Sequence, residues 1–185
     1  IVMPETTPFN KISHTQAFGA KVVLVGETIA DGVMEANRLA EQGGLTFIHP
    51  FDDDAIIAGQ GTVGIEMLED MPDLDVLAVP IGGGGLISGI SIAVGALSPT
   101  TKIIGVEADL YASTQDALAG RSGQYKGMTV AEGIAVKSPG ERTLPIIRDH
   151  VSHVMSVSED QIERAIGLYF NVEKTVAEGA GAASL

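Results

Sequence analysis

Asp75-Val-Leu-Ala-Val-Pro80-Ile-Gly-Gly-Gly-Gly-Leu86 sets the architecture of this 185-residue chain. Asp75 to Val79 is a short apolar run with β-branched residues, the pattern of a buried parallel strand, and Ile87 to Leu97 reads as a helix. The order is strand, glycine loop, helix. Glycine in an ordered segment loses more backbone entropy than other residues and brings no side chain to a core. Four in succession are therefore expected where a backbone must come close to a ligand. A helix N-terminus presents N–H groups without intrahelical acceptors and the positive end of the macrodipole, so the expected ligand group is a phosphate. The plainer reading of the same residues is a flexible strand-to-helix turn.

The common nucleotide fingerprints fit poorly. No Lys-Ser or Lys-Thr closes the loop, as a P-loop requires. A dinucleotide fold wants G-x-G-x-x-G with an acidic residue about 20 positions later. Gly83, Gly85 and Gly89 are too widely spaced for it, although Glu107, at the end of a strand, keeps a nucleotide reading open.

Outward from the loop, the alternation continues in both directions. Ahead of it, Ile1-Val-Met3 reads as the tail of a strand, Pro8 to Phe18 as a helix stopped at Gly19, and Lys21 to Val25 as a strand. Asp31 to Gln42 then reads as a helix ending at Gly43-Gly44, and Thr46-Phe-Ile48 as a strand. His49-Pro-Phe-Asp-Asp-Asp54 breaks the pattern: a proline disfavours helix at His49, and Asp52 or Asp53 is expected to cap a helix running to Asp70. The domain boundary is placed here, giving residues 1–50 and 51–185. After the loop helix come a strand at Lys102 to Val106, a polar loop at Ala119 to Thr129, a turn glycine beside a short strand in Thr129 to Val136, and a helix at Thr143 to His150. A strand at His153 to Val157 follows, then a helix capped by Ser158 and Gln161 and running to Val176. Alternating strands and helices imply an α/β fold with a parallel sheet and helices outside it.

Composition narrows the function. Hydrophobic residues make up 45% of the chain, and no run of about 18 apolar residues occurs, so a membrane-spanning protein is not expected. A formal net charge of −13 argues against a nucleic-acid partner, whose phosphates require clustered Lys and Arg. There is no cysteine, hence neither a disulfide framework nor thiol chemistry, which fits a cytoplasmic location. His14, His49, His150 and His153 do not cluster with carboxylates at zinc-ligand spacing. Ile1 is not an initiator methionine, and Glu178 to Leu185 enters an apolar helix and stops, so a piece of a longer protein is expected.

Five segments in order resemble one family: IVMPETTPFNK at Ile1 to Lys11, IAGQGTVGIE at Ile57 to Glu66, PIGGGGLISGI at Pro80 to Ile90, TVAEGIAVK at Thr129 to Lys137, and VAEGAGA at Val176 to Ala182. They are similar to the threonine and serine dehydratases and serine racemases, pyridoxal-phosphate enzymes of the tryptophan-synthase-β fold, also called fold type II. The resemblance runs from Ile1 to Leu185 and implies an incomplete three-layer αβα fold with parallel sheets. Residues 1–50 would belong to the small α/β domain and residues 51–185 to the large cofactor-binding one. The tetraglycine favours the dehydratase branch. The implied activity is conversion of L-threonine to 2-oxobutanoate and ammonia by β-elimination, as in isoleucine biosynthesis, by a cytoplasmic homo-oligomer acting on a small-molecule amino acid. A serine racemase-like enzyme and a phosphate- or nucleotide-binding regulatory module are the alternatives.

By this resemblance Gly82, Gly83, Gly84, Gly85 and Leu86 would bind the phosphate of pyridoxal 5'-phosphate, Gly133 would face its ring, and Glu178 would lie near the pyridine side. From sequence alone, Glu178 reads equally well as a carboxylate at a helix N-terminus. Glu107 would sit in a divalent-cation site, although Ser113 stands where the family's aspartate would be; otherwise it is a hydrogen-bonded carboxylate at a strand end. The family's Schiff-base lysine lies in a Ser-x-Lys-x-Arg-Gly-Ala type segment that this sequence lacks. No catalytic residue is therefore assigned here, and these residues alone are expected to be inactive.

Overall fold

The computed structural model describes residues 1–185 and divides them between two units, Ile1–His49 and Pro50–Leu185. In the first, β1 (Val2–Met3) and β2 (Val23–Leu24) pair in parallel, with Val2 opposite Val23, and are joined by α1 (Phe9–Ala17). Helix α2 (Ile29–Gly43) starts two residues ahead of the expected Asp31. The cause is a capping box: Thr28 Oγ1 accepts from Asp31 N–H at 3.2 Å while Asp31 Oδ2 accepts from Thr28 N–H at 2.9 Å, making Asp31 the third helical residue. Gly44 closes the helix in the left-handed region, at φ 61°. The strand expected at Thr46–Ile48 does not form; these residues join no ladder, and Leu45 and Ile48 are each 67% exposed. An apolar triplet alone does not make a strand without a neighbour to pair with.

The second unit starts with α3 (Asp54–Asp70). Its N-cap is Asp53, whose Oδ1 accepts from the N–H of Ala55 at 2.9 Å and of Ile56 at 3.2 Å. Three strands follow, β3 (Val76–Pro80), β4 (Lys102–Ala108) and β5 (His153–Val157), in the order β3-β4-β5 and all parallel. Between them run α4 (Gly85–Leu97), α5 (Ser113–Leu118) and α6 (Thr143–His150), and after them α7 (Glu159–Leu168) and α8 (Gly179–Ala182).

Successive residues of a strand point to opposite faces, and β4 uses both. Ile103 packs with Val79, Ile81, Ile87, Ile90, Val94, Ile147 and Val154, a core between the sheet and helices α4 and α6. Val106 and Ala108 point the other way and pack with Ala131, Ile134, Ile162, Ala180 and Ala183, beneath α7 and α8. Helices thus lie on both faces of a parallel sheet, the α/β arrangement expected. On the α4 side Ile87 and Val94 are fully buried, as are Ala108 and Ala131 on the other.

The glycines of IAGQGTVGIE find their reason in the crossing of α3 and α4. A Cβ added at Gly61 would stand 3.1 Å from Gly89 O, and one added at Gly89 would overlap the Ile57 carbonyl oxygen. The two backbones therefore touch, which holds the first turns of α4 against α3.

Three expectations are corrected here. Residues 129–136 hold no strand; a single 3-10 turn, Glu132–Ile134, takes its place, with Ile134 N–H donating to Ala131 O at 3.0 Å. The helix started by the Ser158–Gln161 capping box does not reach Val176. It ends at Leu168 and passes into a π-type turn, Tyr169–Glu173, where Lys174 adopts φ 55° and Tyr169 O accepts from Thr175 N–H at 3.1 Å. The stop comes one residue after Gly167, which is itself still helical, and no proline follows it. Helix α5, in turn, lies outside the elements read from the pattern.

Candidate functional site

Strand β3 brings the chain to the carboxyl edge of the sheet, where open α/β folds place their ligands. The ladder continues one residue past β3, with Ile81 N–H donating to Val106 O at 2.8 Å. The chain then turns through Gly82 to Gly84 and enters α4. Gly84, the N-cap, holds φ 94° and ψ 0°, a conformation that favours glycine, and no side chain caps the helix. A 13-residue helix thus begins with N–H groups that have no intrahelical acceptor, at the positive end of its dipole. Gly83, Gly84 and Gly85 are buried; Gly82 and Leu86 are half-buried.

Packing against the protein's own residues accounts for every glycine of the loop, where the sequence led us to expect a ligand. A Cβ on Gly83 would overlap the Phe51 ring, and one on Gly85 would stand 3.0 Å from Phe51 Cβ. On Gly84 it would approach Thr143 Oγ1 to 2.8 Å, and on Gly82 it would meet Val136 Cγ2 at 3.1 Å and Gly133 O at 3.3 Å. Close approach is indeed why glycine is needed, but the close neighbours are the protein's own residues. What the loop offers outward is its backbone.

The contact from Gly82 leads to the next motif. Gly133, exposed in the 3-10 turn, faces Glu178: a Cβ there would lie 3.1 Å from Glu178 Oε1 and 3.0 Å from Ala180 Cβ. Gly179, one residue on, is pressed against the Val130 carbonyl. The tetraglycine loop, the AEGIAVK segment and the AEGAGA segment therefore stack side by side although they are far apart in sequence. Glu178 occupies the N-cap position of α8, yet its carboxylate makes no capping hydrogen bond. It is exposed and turned toward Gly133.

Glu107 behaves differently. It is fully buried, and its carboxylate accepts from Thr114 N–H at 2.7 Å through Oε1 and from Gln115 N–H at 2.9 Å through Oε2. Burial pushes its pKa up, against the lowering pull of those two N–H groups. Ser113, in the position of the missing aspartate, donates its hydroxyl to Val136 O at 2.9 Å. No group of three His, Cys, Asp or Glu side chains suited to a metal ion forms anywhere in the chain. The cation expectation at Glu107 is thereby replaced by the plainer one, a carboxylate that ties β4 to the start of α5.

The roles of three residues escaped the sequence reading: Phe51, Asp52 and Thr143. Of the two candidates to cap α3, Asp53 does so, while Asp52 accepts from the N–H groups of Glu141 at 3.0 Å, Arg142 at 2.9 Å and Thr143 at 3.3 Å, and so caps α6. Thr143 is fully buried, and its hydroxyl donates to Gly83 O at 2.7 Å. No local pattern links residue 52 or 83 to residue 143. An open apolar groove of about 340 Å³, lined by Ile57, Ala58, Ile65, Ile92, Ala93 and Ile146, lies over α3 and α4 and shares no residue with the stacked motifs.

A parallel α/β unit with an uncapped helix N-terminus at the carboxyl edge of its sheet, beside a glycine-containing turn and an exposed carboxylate, has the arrangement with which α/β proteins receive anionic ligands. The chain belongs to the pyridoxal-phosphate dependent enzyme family, whose model matches residues 1–185. It is 44% identical over 184 residues to an L-threonine ammonia-lyase of Thermotoga maritima, covering 98% of this chain and 46% of that protein. Among solved structures, the processed form of a threonine deaminase isoform from Solanum lycopersicum superposes with TM-score 0.89 at 38% identity, over 100% of this chain and 54% of its own. Maize serine racemase superposes with TM-score 0.92 at 32% identity, over 99% and 56%. The fold is therefore that of the fold type II enzymes, and the chain spans about half the length of the curated relatives it matches.

The residues present fit the cofactor. The uncapped start of α4 suits a phosphate, and the exposed Gly133 and Glu178 lie next to the loop through the Gly82–Gly133 contact.

Proposed function

We propose that these residues form the phosphate- and ring-binding part of a pyridoxal-phosphate dependent threonine ammonia-lyase, which converts L-threonine to 2-oxobutanoate and ammonia by β-elimination. The observation that carries the reading is the stacking of Gly82, Gly133 and Glu178 at the start of α4. The relatives named L-threonine ammonia-lyase support the substrate.

The cofactor, when bound, withdraws electrons from the α-carbon of an amino acid so that the α-proton and the β-hydroxyl can leave. The chain's own residues have simpler tasks. The backbone N–H groups of Gly82, Gly83, Gly84, Gly85 and Leu86, with the α4 dipole, hold the phosphate. Gly133, closely packed by Glu178 and Ala180, is assigned to the ring side of the site, where Glu178 sets a negative charge. Residues 1–50 are assigned to the small domain and residues 51–185 to the large one. In the cell we expect a cytoplasmic homo-oligomer. No helix is long and apolar enough to cross a membrane.

The test is to supply the full-length protein with pyridoxal phosphate and L-threonine and to measure 2-oxobutanoate and ammonia. Their release in equal amounts is expected. Absence of both, in a protein that holds the cofactor, would overturn the lyase assignment. A second reading, a serine racemase-like enzyme, draws on the likeness to maize serine racemase; it predicts conversion of L-serine to D-serine without matching ammonia. The 185 residues alone are expected to release neither product, since no Ser-x-Lys-x-Arg-Gly-Ala type segment occurs among them.

A further inference from the structure

The start of α6 holds the glycine loop by its backbone. Gly83 O accepts two hydrogen bonds, from Thr143 Oγ1 at 2.7 Å and from Gly140 N–H at 3.1 Å. The Gly140 N–H also reaches Thr143 Oγ1 at 3.0 Å, so the hydroxyl is both acceptor and donor within one small buried network. Asp52 holds that network in place, its carboxylate receiving the N–H groups of Glu141, Arg142 and Thr143. Room for the contact comes from residues without side chains: a Cβ on Gly84 would crowd Thr143 Oγ1, and one on Gly140 would overlap Asp52 Oδ1.

A trans peptide unit points its C=O and its N–H in opposite directions. A Gly83 carbonyl drawn toward α6 therefore turns the Gly84 N–H away from α6. Glycine has little intrinsic preference among backbone conformations, so a run of four would otherwise sample several orientations. Entropy lost in fixing the loop beforehand is not lost again when an anion binds.

We propose that Thr143 is a positioning residue for the phosphate loop: its hydroxyl, held by the Asp52-capped start of α6, fixes the Gly83–Gly84 peptide in the orientation that receives a phosphate. This rests on the cofactor reading given above. It makes a specific claim, that the hydroxyl acts on phosphate recognition and not on ring recognition or on folding alone.

The experiment uses the full-length protein and compares wild type, Thr143→Val and Thr143→Ser by equilibrium binding of pyridoxal phosphate and of pyridoxal, which lacks the phosphate. Without the hydroxyl, Gly83 O keeps only the longer bond from Gly140 N–H; losing the shorter of its two hydrogen bonds predicts pyridoxal phosphate binding weakened about tenfold in Thr143→Val. Pyridoxal binding should change less than about threefold, and Thr143→Ser should bind both as wild type does. The phosphorus resonance of bound cofactor should shift in Thr143→Val and not in Thr143→Ser. Equal loss for both ligands, or unchanged pyridoxal phosphate binding in Thr143→Val, overturns the proposal. If Thr143→Val does not fold, Thr143→Ser decides: wild-type discrimination between the two ligands supports the role, and its loss overturns it. A wild-type protein that binds neither ligand refutes the cofactor reading instead.

Discussion

The aromatic ring of Phe51 occupies the space that a Cβ on Gly83 would need. Phe51 belongs to the segment that leads into α3, and Gly83 to the loop that leads into α4, so the two helix starts are packed against each other through this pair. Shape alone couples them. Gly83→Ala is expected to destabilise the protein, and adding Phe51→Ala should cost less in that background than in wild type, with a coupling of about 1 kcal/mol or more. A double-mutant cycle by urea unfolding measures it; strict additivity would dissociate the glycine from the ring.

Where α3 crosses α4, the backbones leave no room for a methyl group. Gly89→Ala drives a Cβ into the Ile57 carbonyl and should cost about 3 kcal/mol. Gly59, on the same α3, has nothing within 4 Å of its Cβ position. Gly59→Ala should stabilise by about 0.5–1 kcal/mol through helix propensity. Thermal or urea denaturation of the pair tests this, and similar effects at both positions would mean that the close crossing does not limit stability.

Asp52 caps a helix about 90 residues away in sequence, at Glu141 to Thr143. Loss of the cap in Asp52→Ala should destabilise by about 1–2 kcal/mol, with Asp52→Asn intermediate because its amide oxygen still accepts. Amide hydrogen exchange localises the effect. Faster exchange in α6 is expected, and unchanged protection there would show the cap to be idle.

Glu107 has its pKa raised by burial, so the folded chain binds its proton more tightly than the unfolded chain does. By linkage, its contribution to stability is greatest below the unfolded carboxyl range and falls as pH rises through the folded pKa. Glu107→Gln removes the titration and also sets an amide NH2 against one of the two backbone donors, Thr114 or Gln115, at a cost of about 1–3 kcal/mol. The stability gap between wild type and Glu107→Gln should therefore narrow as pH is raised above about 4.5, the ordinary value for a glutamate. Urea midpoints across pH measure it, and a gap that widens with pH would contradict the raised pKa.

How far the sequence could be read depended on the range over which each signal acts. The strand before the glycine loop, the loop itself and the helix after it are all legible in the run from Asp75 to Leu97, because apolar periodicity and glycine act over a few residues. The capping residues Asp53 and Ser158 were legible for the same reason: a cap is satisfied within three residues of itself. Local signals failed where the partner was distant. Thr46 to Ile48 has the composition of a strand but joins no ladder, and the helix after Ser158 stops at Leu168, where the sequence reading passed over Gly167. Residues 129–136 look extended, yet between the glycine loop and α8 they pack as a turn. Glu178 could be placed at a helix N-terminus from its neighbours alone, but that its carboxylate faces Gly133 instead of capping α8 follows from packing. The four glycines announced close contact, and only the folded chain, by bringing Phe51, Thr143 and Val136 against them, identified what they touch. Hydrogen bonds such as Thr143 to Gly83 join residues 60 apart in sequence, and no local preference encodes a contact made by the crossing of whole elements.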